Sequence, residues 1–253
     1  MLPGSPTCML GSRMLTCSNV TISGTYLALA LQPMRAHFDA SRQGAAPIRL
    51  RAALTGSLAL VWRTPAIRRL TLVSVGYAGM QVSMGTFLVV YLHDHVGLDV
   101  VAAGLLLAAA QMGGAVGRVI WGLIADRLGD TVRLLGALGL GMTVAALFTA
   151  AFTAAWPWAM LMAVCIGFGA TAVGWTGIFL AHIARVAPQG RAAELTGGTS
   201  FFTYGGVMIA PGVVSAMLSL GGSYALAFIV LAAVTLTGAI TCLRFIQPRP
   251  AGG

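Results

Sequence analysis

Residues 101–129 read VAAGLLLAAAQMGGAVGRVIWGLIADRLG. Up to residue 125 this run holds a single ionisable side chain, Arg118, and then the chain turns through Asp126, Arg127 and Gly129. A helix needs about 20 consecutive apolar residues to cross a hydrocarbon core of roughly 30 Å. The stretch is therefore a membrane span closed by a polar turn. The rest of the chain agrees with it: of 253 residues, 58% are hydrophobic and only 8% charged, and the mean hydropathy is +0.88. A soluble domain does not hide that much apolar surface.

Working outward, spans are expected at 70–92, 101–125, 134–155, 158–180, 195–220 and 223–243. Their connections are short, so successive helices are expected to be antiparallel neighbours in a compact bundle. The fold class is all-α, a polytopic membrane helical bundle of six transmembrane helices with a marginal seventh at 14–34. That N-terminal stretch is long enough to cross, but it carries Cys17, Ser18, Asn19, Thr21, Ser23 and Thr25. Residues 1–34 form a poorly defined leader, and 35–69 an Arg-rich cytoplasmic linker with 53–62 as a surface-lying amphipathic segment. The six-span unit is 70–243, and a cytoplasmic tail runs from 244 to 253.

A net charge of +9 and a pI near 10.5 would point to nucleic acid in a soluble protein. The placement of the fifteen basic residues, all arginine, argues otherwise. Arg35, Arg42, Arg49, Arg51, Arg63, Arg68 and Arg69 precede the first span. The next loop has none, the following one holds Arg127 and Arg133, and the alternation continues through Arg185 and Arg191 to Arg244 and Arg249. Basic loops lie on the cytoplasmic side of membrane proteins, which puts the C-terminus inside and rejects nucleic acid as a partner. The lipid bilayer is the medium, and a small-molecule substrate is the expected ligand.

Arg118 carries the sharpest chemistry. It lies roughly seven residues, about 10 Å, inside the cytoplasmic end of its helix, where an unpaired charge costs at least a few kcal/mol. Two readings stand: the guanidinium snorkels to the headgroups, or it faces a cavity and binds an anion. Polar and aromatic residues near mid-span, Tyr77, Gln81, Gln111, Trp175, Thr176 and Tyr204, are either helix-packing groups or, as a set, a cavity lining. Glycines 113, 114 and 117 read as a close-packing surface. All six acidic residues fall in loops or at span ends, and no nucleophile–base pair sits in a span, so an intramembrane enzyme is disfavoured. The spacing of cysteines and histidines fits neither a disulfide framework nor a metal site, and no cofactor signature is present.

The run Gly122-x-x-x-Asp126-Arg127-x-Gly129 resembles the cytoplasmic-loop signature of the major facilitator superfamily, with Asp130 where that family usually has a basic residue. The stretch from Arg185 to Arg191 is similar to the family's loop between its tenth and eleventh helices. Gly197, Gly206, Ala210, Pro211 and Gly212 resemble a degraded copy of its glycine–proline helix motif. Arg118-x-x-x-Gly122-x-x-Ala125 is also similar to the eighth-helix segment of monocarboxylate and oxalate carriers, with Gly114 where the former usually have an aspartate.

The resemblance implies the C-terminal six-helix half of a twelve-helix secondary transporter of the bacterial inner membrane. It implies alternating access to a mid-membrane site, an organic anion as substrate, and gating or structural roles for Gly122, Asp126, Arg127, Gly129, Arg185, Arg191 and Pro211. On that view residues 14–34 are the remnant of a preceding helix and 35–69 the central loop. The partner is a missing N-terminal half or a second copy, and the chain is a truncated product or a genuine half-size protein. The competing expectation is a non-transporting membrane subunit or an inert fragment.

Overall fold

The structure, a computed structural model, describes residues 50–188 and 190–245. The leader, the marginal span at 14–34 and residues 246–253 of the tail lie outside the described residues. Among the described residues the chain forms seven helices: α1 Leu50–Arg63, α2 Pro65–Asp94, α3 Val100–Leu128, α4 Thr131–Ala150, α5 Trp158–Val186, α6 Ala192–Ser219 and α7 Tyr224–Phe245. Six of them, α2 to α7, are long and apolar enough to cross a membrane. The third expected span, 134–155, ends five residues early, at Ala150. There Thr153, Trp156 and Pro157 turn the chain before α5. Of the stretch expected as a linker, residues 50–63 are helix α1 and 65–69 the first turns of α2.

Helix boundaries follow from local chemistry. Pro65 occupies the first turn of α2, where its missing N–H would have no intrahelical partner anyway. Asp99 caps α3 by accepting the Val101 N–H at 3.1 Å, and Asp130 caps α4 by accepting that of Arg133 at 3.1 Å. Between them Gly129 ends α3 in the left-handed region, φ 69°, with its N–H on the Ala125 carbonyl. A side chain there would be strained. Asp130, the departure from the family's usual basic residue, thus does a second job in a two-residue turn: it starts the next helix and pairs with Arg133 at 3.0 Å.

Short connections reverse the chain, but they do not make every pair of consecutive helices partners. The expectation of sequential neighbours holds for α4 on α5 and is corrected elsewhere, because α3 meets α4 only thinly, and α6 meets α7 in the same way. The broad seams are α3 on α5, α4 on α7, α2 on α6 and α4 on α5. Exchanging the triplet α2-α3-α4 for α5-α6-α7 maps this pattern onto itself. The α3·α5 seam becomes α6·α2, α2·α7 becomes α5·α4, and α4·α7 returns to itself. Three spans are an odd number, so the second triplet enters from the opposite side of the bilayer, which is an inverted repeat.

Backbone proximity decides which helices pair. A Cβ on Gly117 would stand 2.7 Å from the Ala170 carbonyl oxygen, one on Gly114 2.7 Å from Val173 Cβ, and one on Gly113 would run into the Ile166 carbonyl. Hydrocarbon supplies no hydrophobic drive between helices, so close van der Waals packing of small residues does this work. Buried hydroxyls add to it: Thr143 and Thr235 meet at 2.9 Å between α4 and α7, and Tyr91 donates to the Thr149 carbonyl at 2.7 Å between α2 and α4. Helix α1 packs on α6 through Val61, which is buried, and through Trp62, edge-on to Phe202 at 5.6 Å.

Candidate functional site

Four helices, α2, α3, α5 and α6, line an open cavity of about 480 Å³ that carries several polar side chains. Helix α2 contributes Gln81 and Thr86, α3 contributes Gln111 and Arg118, α5 Trp175 and Thr176, and α6 Ser200, Thr203, Tyr204 and Val207. The scaffold pair α4 and α7 contributes nothing to it. A hollow of about 550 Å³ between α2 and α7 is larger, but its polar lining is limited to Arg69, Thr237 and Thr241. The smaller cavity gathers polar groups from four helices where the larger gathers them from two, and convergence marks a binding site better than volume does.

The seam between α3 and α5 sets Arg118 in place. With Gly114 and Gly117 pressed on α5, Arg118 Nε reaches the Val173 carbonyl at 3.3 Å, and Trp121 Nε1 reaches that of Ala170 at 2.9 Å. Among the described residues no carboxylate pairs with Arg118; the ion pairs are Arg133–Asp130, Arg185–Asp126 and Arg191–Glu194. Its guanidinium is therefore tethered through Nε, and the residue borders the cavity.

The structure brings together Gln81, Gln111, Arg118, Trp175, Thr176 and Tyr204 out of the residues singled out in the sequence. Tyr77 stands apart from the cavity. It is buried against α4, where it donates to the Leu135 carbonyl at 3.2 Å, and it meets Trp175 edge-on at 5.7 Å. Burial of its ring against the small faces of Gly139 and Gly238 accounts for that orientation. Sequence reasoning missed Thr86, Ser200, Thr203 and Val207. Positions 200, 203, 204 and 207 repeat at helical spacing, which is the signal that could have found them.

At the ends of α3 and α5, Asp126 Oδ1 lies 3.5 Å from Arg185 Nη2, tying the two helices by an exposed pair. Arg127 is exposed and Gly122 has open space where a side chain would be. Arg191 binds Glu194 with both Nε and Nη2 at 2.8 Å, and this hydrogen-bonded carboxylate holds the guanidinium above its ordinary range. Pro211 lies inside α6. Lacking an N–H, it removes the helical bond to the carbonyl four residues back, that of Val207, a cavity residue.

Six spans in two inverted threes, with a polar chamber on one face, are the architecture of half a secondary transporter. The sequence pattern of the Major Facilitator Superfamily matches residues 19–211. The chain belongs to the major facilitator superfamily. Over 84 residues it is 29% identical to an uncharacterized MFS-type transporter, YttB, of Bacillus subtilis (strain 168). That alignment takes in 33% of this chain and 21% of the relative's length. Like other members of the superfamily, the protein is a multi-pass membrane protein.

Proposed function

We propose that this six-helix unit forms one wall of a secondary transporter that moves a small organic anion by alternating access, with Arg118 as the cation that binds it. The placement of Arg118 carries the reading. A guanidinium without a carboxylate partner among the described residues borders a chamber with two amides and several hydroxyls, and its planar fork suits both oxygens of a carboxylate. Gln81, Gln111, Trp175, Thr176 and Tyr204 complete the lining on this reading, and the opposing wall is an N-terminal half or a second copy. The glycine, aspartate and arginine residues at the ends of α3 and α5, with Arg191 and Pro211 on the α6 side, serve as latch and hinge.

The test is uptake into vesicles carrying the full-length locus. Arg118→Ala is expected to abolish uptake of at least one carboxylate, and Arg118→Lys to restore a minority of it, because a point charge replaces the fork. Unchanged uptake of every anion tested overturns the anion reading. Uptake of none by the native protein favours the non-transporting alternative.

We further propose that the protein lies in a bacterial inner membrane with its C-terminus in the cytoplasm, on the strength of the arginine asymmetry. Thr153→Cys should react with an impermeant maleimide in intact cells, and Leu128→Cys only after permeabilisation. The reverse pattern inverts the topology.

A further inference from the structure

We infer that Trp175 is a positioning residue that fixes Gln81 as a hydrogen-bond donor to the anion, so that the site selects a carboxylate bearing a second acceptor oxygen. The inference rests on the anion reading above and adds a substrate class to it.

An indole N–H can only donate. Trp175 Nε1 lies 3.2 Å from the Gln81 side chain, so the amide atom it holds is the oxygen, Oε1. The two N–H donors at the other end of the planar amide are then left for the chamber that Gln81 lines. The indole itself has little freedom, being 1% exposed. Tyr77 meets it edge-on at 5.7 Å, and Phe179 packs on it at 5.6 Å. Tyr77 is in turn tied to the Leu135 carbonyl. A three-residue stack running back into the scaffold thus sets the direction of one amide in the cavity wall.

The threonines of the lining cannot take over this donor role at no cost. Thr86 gives its hydroxyl hydrogen to the Val82 carbonyl at 2.8 Å, Thr176 to that of Val173 at 3.4 Å, and Thr203 to that of Thr199 at 3.0 Å. Donors for a ligand therefore concentrate on Arg118, the two amides and the α6 residues Ser200 and Tyr204. Of these, Gln81 is oriented by a neighbouring side chain that can only donate. An anion whose carboxylate sits on Arg118 gains from an oxygen placed against Gln81, and one with a methylene there offers those N–H groups no partner.

Pyruvate and propionate make the probe pair, since they differ by an oxo oxygen in place of a methylene's hydrogens. With the full chain in membrane vesicles, pyruvate is expected to bind about 3- to 10-fold more tightly than propionate, the range for one hydrogen bond. Trp175→Phe keeps an aromatic ring and removes the N–H; it should cut that ratio to about 2 or less by weakening pyruvate more than propionate. Gln81→Leu should do the same, and the double variant should add nothing further. Where Trp175→Phe does not fold, Gln81→Leu carries the test. A purely structural role for Trp175 would weaken both ligands alike and preserve the ratio, and that result overturns the inference. Equal native affinities also overturn it while leaving the anion reading intact. Loss of both ligands in Arg118→Ala supports the anion reading, and no native binding of either overturns both.

Discussion

Helices α3 and α6 hold equivalent places in the two inverted triplets, yet the bundle grips them very differently. Of the most apolar stretch of α3, 33% is buried inside the bundle, against 11% for α6. The glycines of α3 at 113, 114 and 117 are pressed on α5, whereas, among the described residues, Gly197, Gly205 and Gly212 of α6 have no neighbour and its glycines 198 and 206 alone meet other helices. One helix is locked and brings the cation; the other is loosely held, interrupted by Pro211, and brings hydroxyls. A polar chamber with one fixed wall and one yielding wall can keep its charge in place while its shape changes, which is what alternating access requires.

Breaking the locked wall should have the largest effect. Gly113→Val puts a branched side chain into the Ile166 backbone, where no rotamer change relieves the clash. We expect a loss at or beyond the upper end of about 1–3 kcal/mol, read as a collapse of the thermal midpoint and loss of a monodisperse peak in detergent. The matching change on the yielding wall, Gly206→Val, meets the Val75 carbonyl at 2.5 Å. A smaller fall is expected there, with α6 and α1 released while the α4·α7 pair holds, since α6 buries less. Equal losses from the two variants would erase the distinction between the walls.

The spans themselves were legible because an apolar run of membrane length has few alternatives, and Arg118 stood out because a lone charge in such a run needs a reason. Gathering Gln81, Gln111, Trp175 and Tyr204 into one cavity was only one of two readings the sequence left open, since mid-span amides and aromatics equally well pack helices together. Helix pairing was not legible: glycines 113, 114 and 117 announce a close approach but do not name Ile166, Ala170 and Val173 as its partners. Tyr77 was unreadable for a related reason. One turn of helix separates it from Gln81, and the absence of side chains at Gly139 and Gly238 leaves room for its ring to pack against α4 and α7.

Smaller effects sharpen the comparison at the helix ends. Asp130→Ala removes the cap of α4 and its pair with Arg133, and should cost about 1 kcal/mol. Gly205→Ala, with open space around it, should raise the thermal midpoint slightly, by the roughly 0.5–1 kcal/mol that alanine gains over glycine in a helix. A loss of uptake in Gly205→Leu with the midpoint unchanged would mean that another surface approaches α6 there.

The smallest expected change in stability concerns the charged pairs, which repeat the contrast. Asp126 reaches across from α3 to Arg185 of α5, whereas Arg191 at the start of α6 pairs, among the described residues, with Glu194 in its own first turn. The Asp126 pair is 3.5 Å long with side chains 71% and 56% exposed, so water screens it and its contribution lies below about 1 kcal/mol. Asp126→Asn should therefore leave the thermal midpoint of the α3·α5 seam nearly untouched, because backbone contact at the glycines already holds that seam. If the aspartate also serves as a latch to a facing half, uptake should fall about ten-fold or more with that midpoint unchanged, equivalent to about 1.4 kcal/mol in a transport step. A large drop in stability would instead make the ion pair, and not the glycine contact, the fastening of the locked wall.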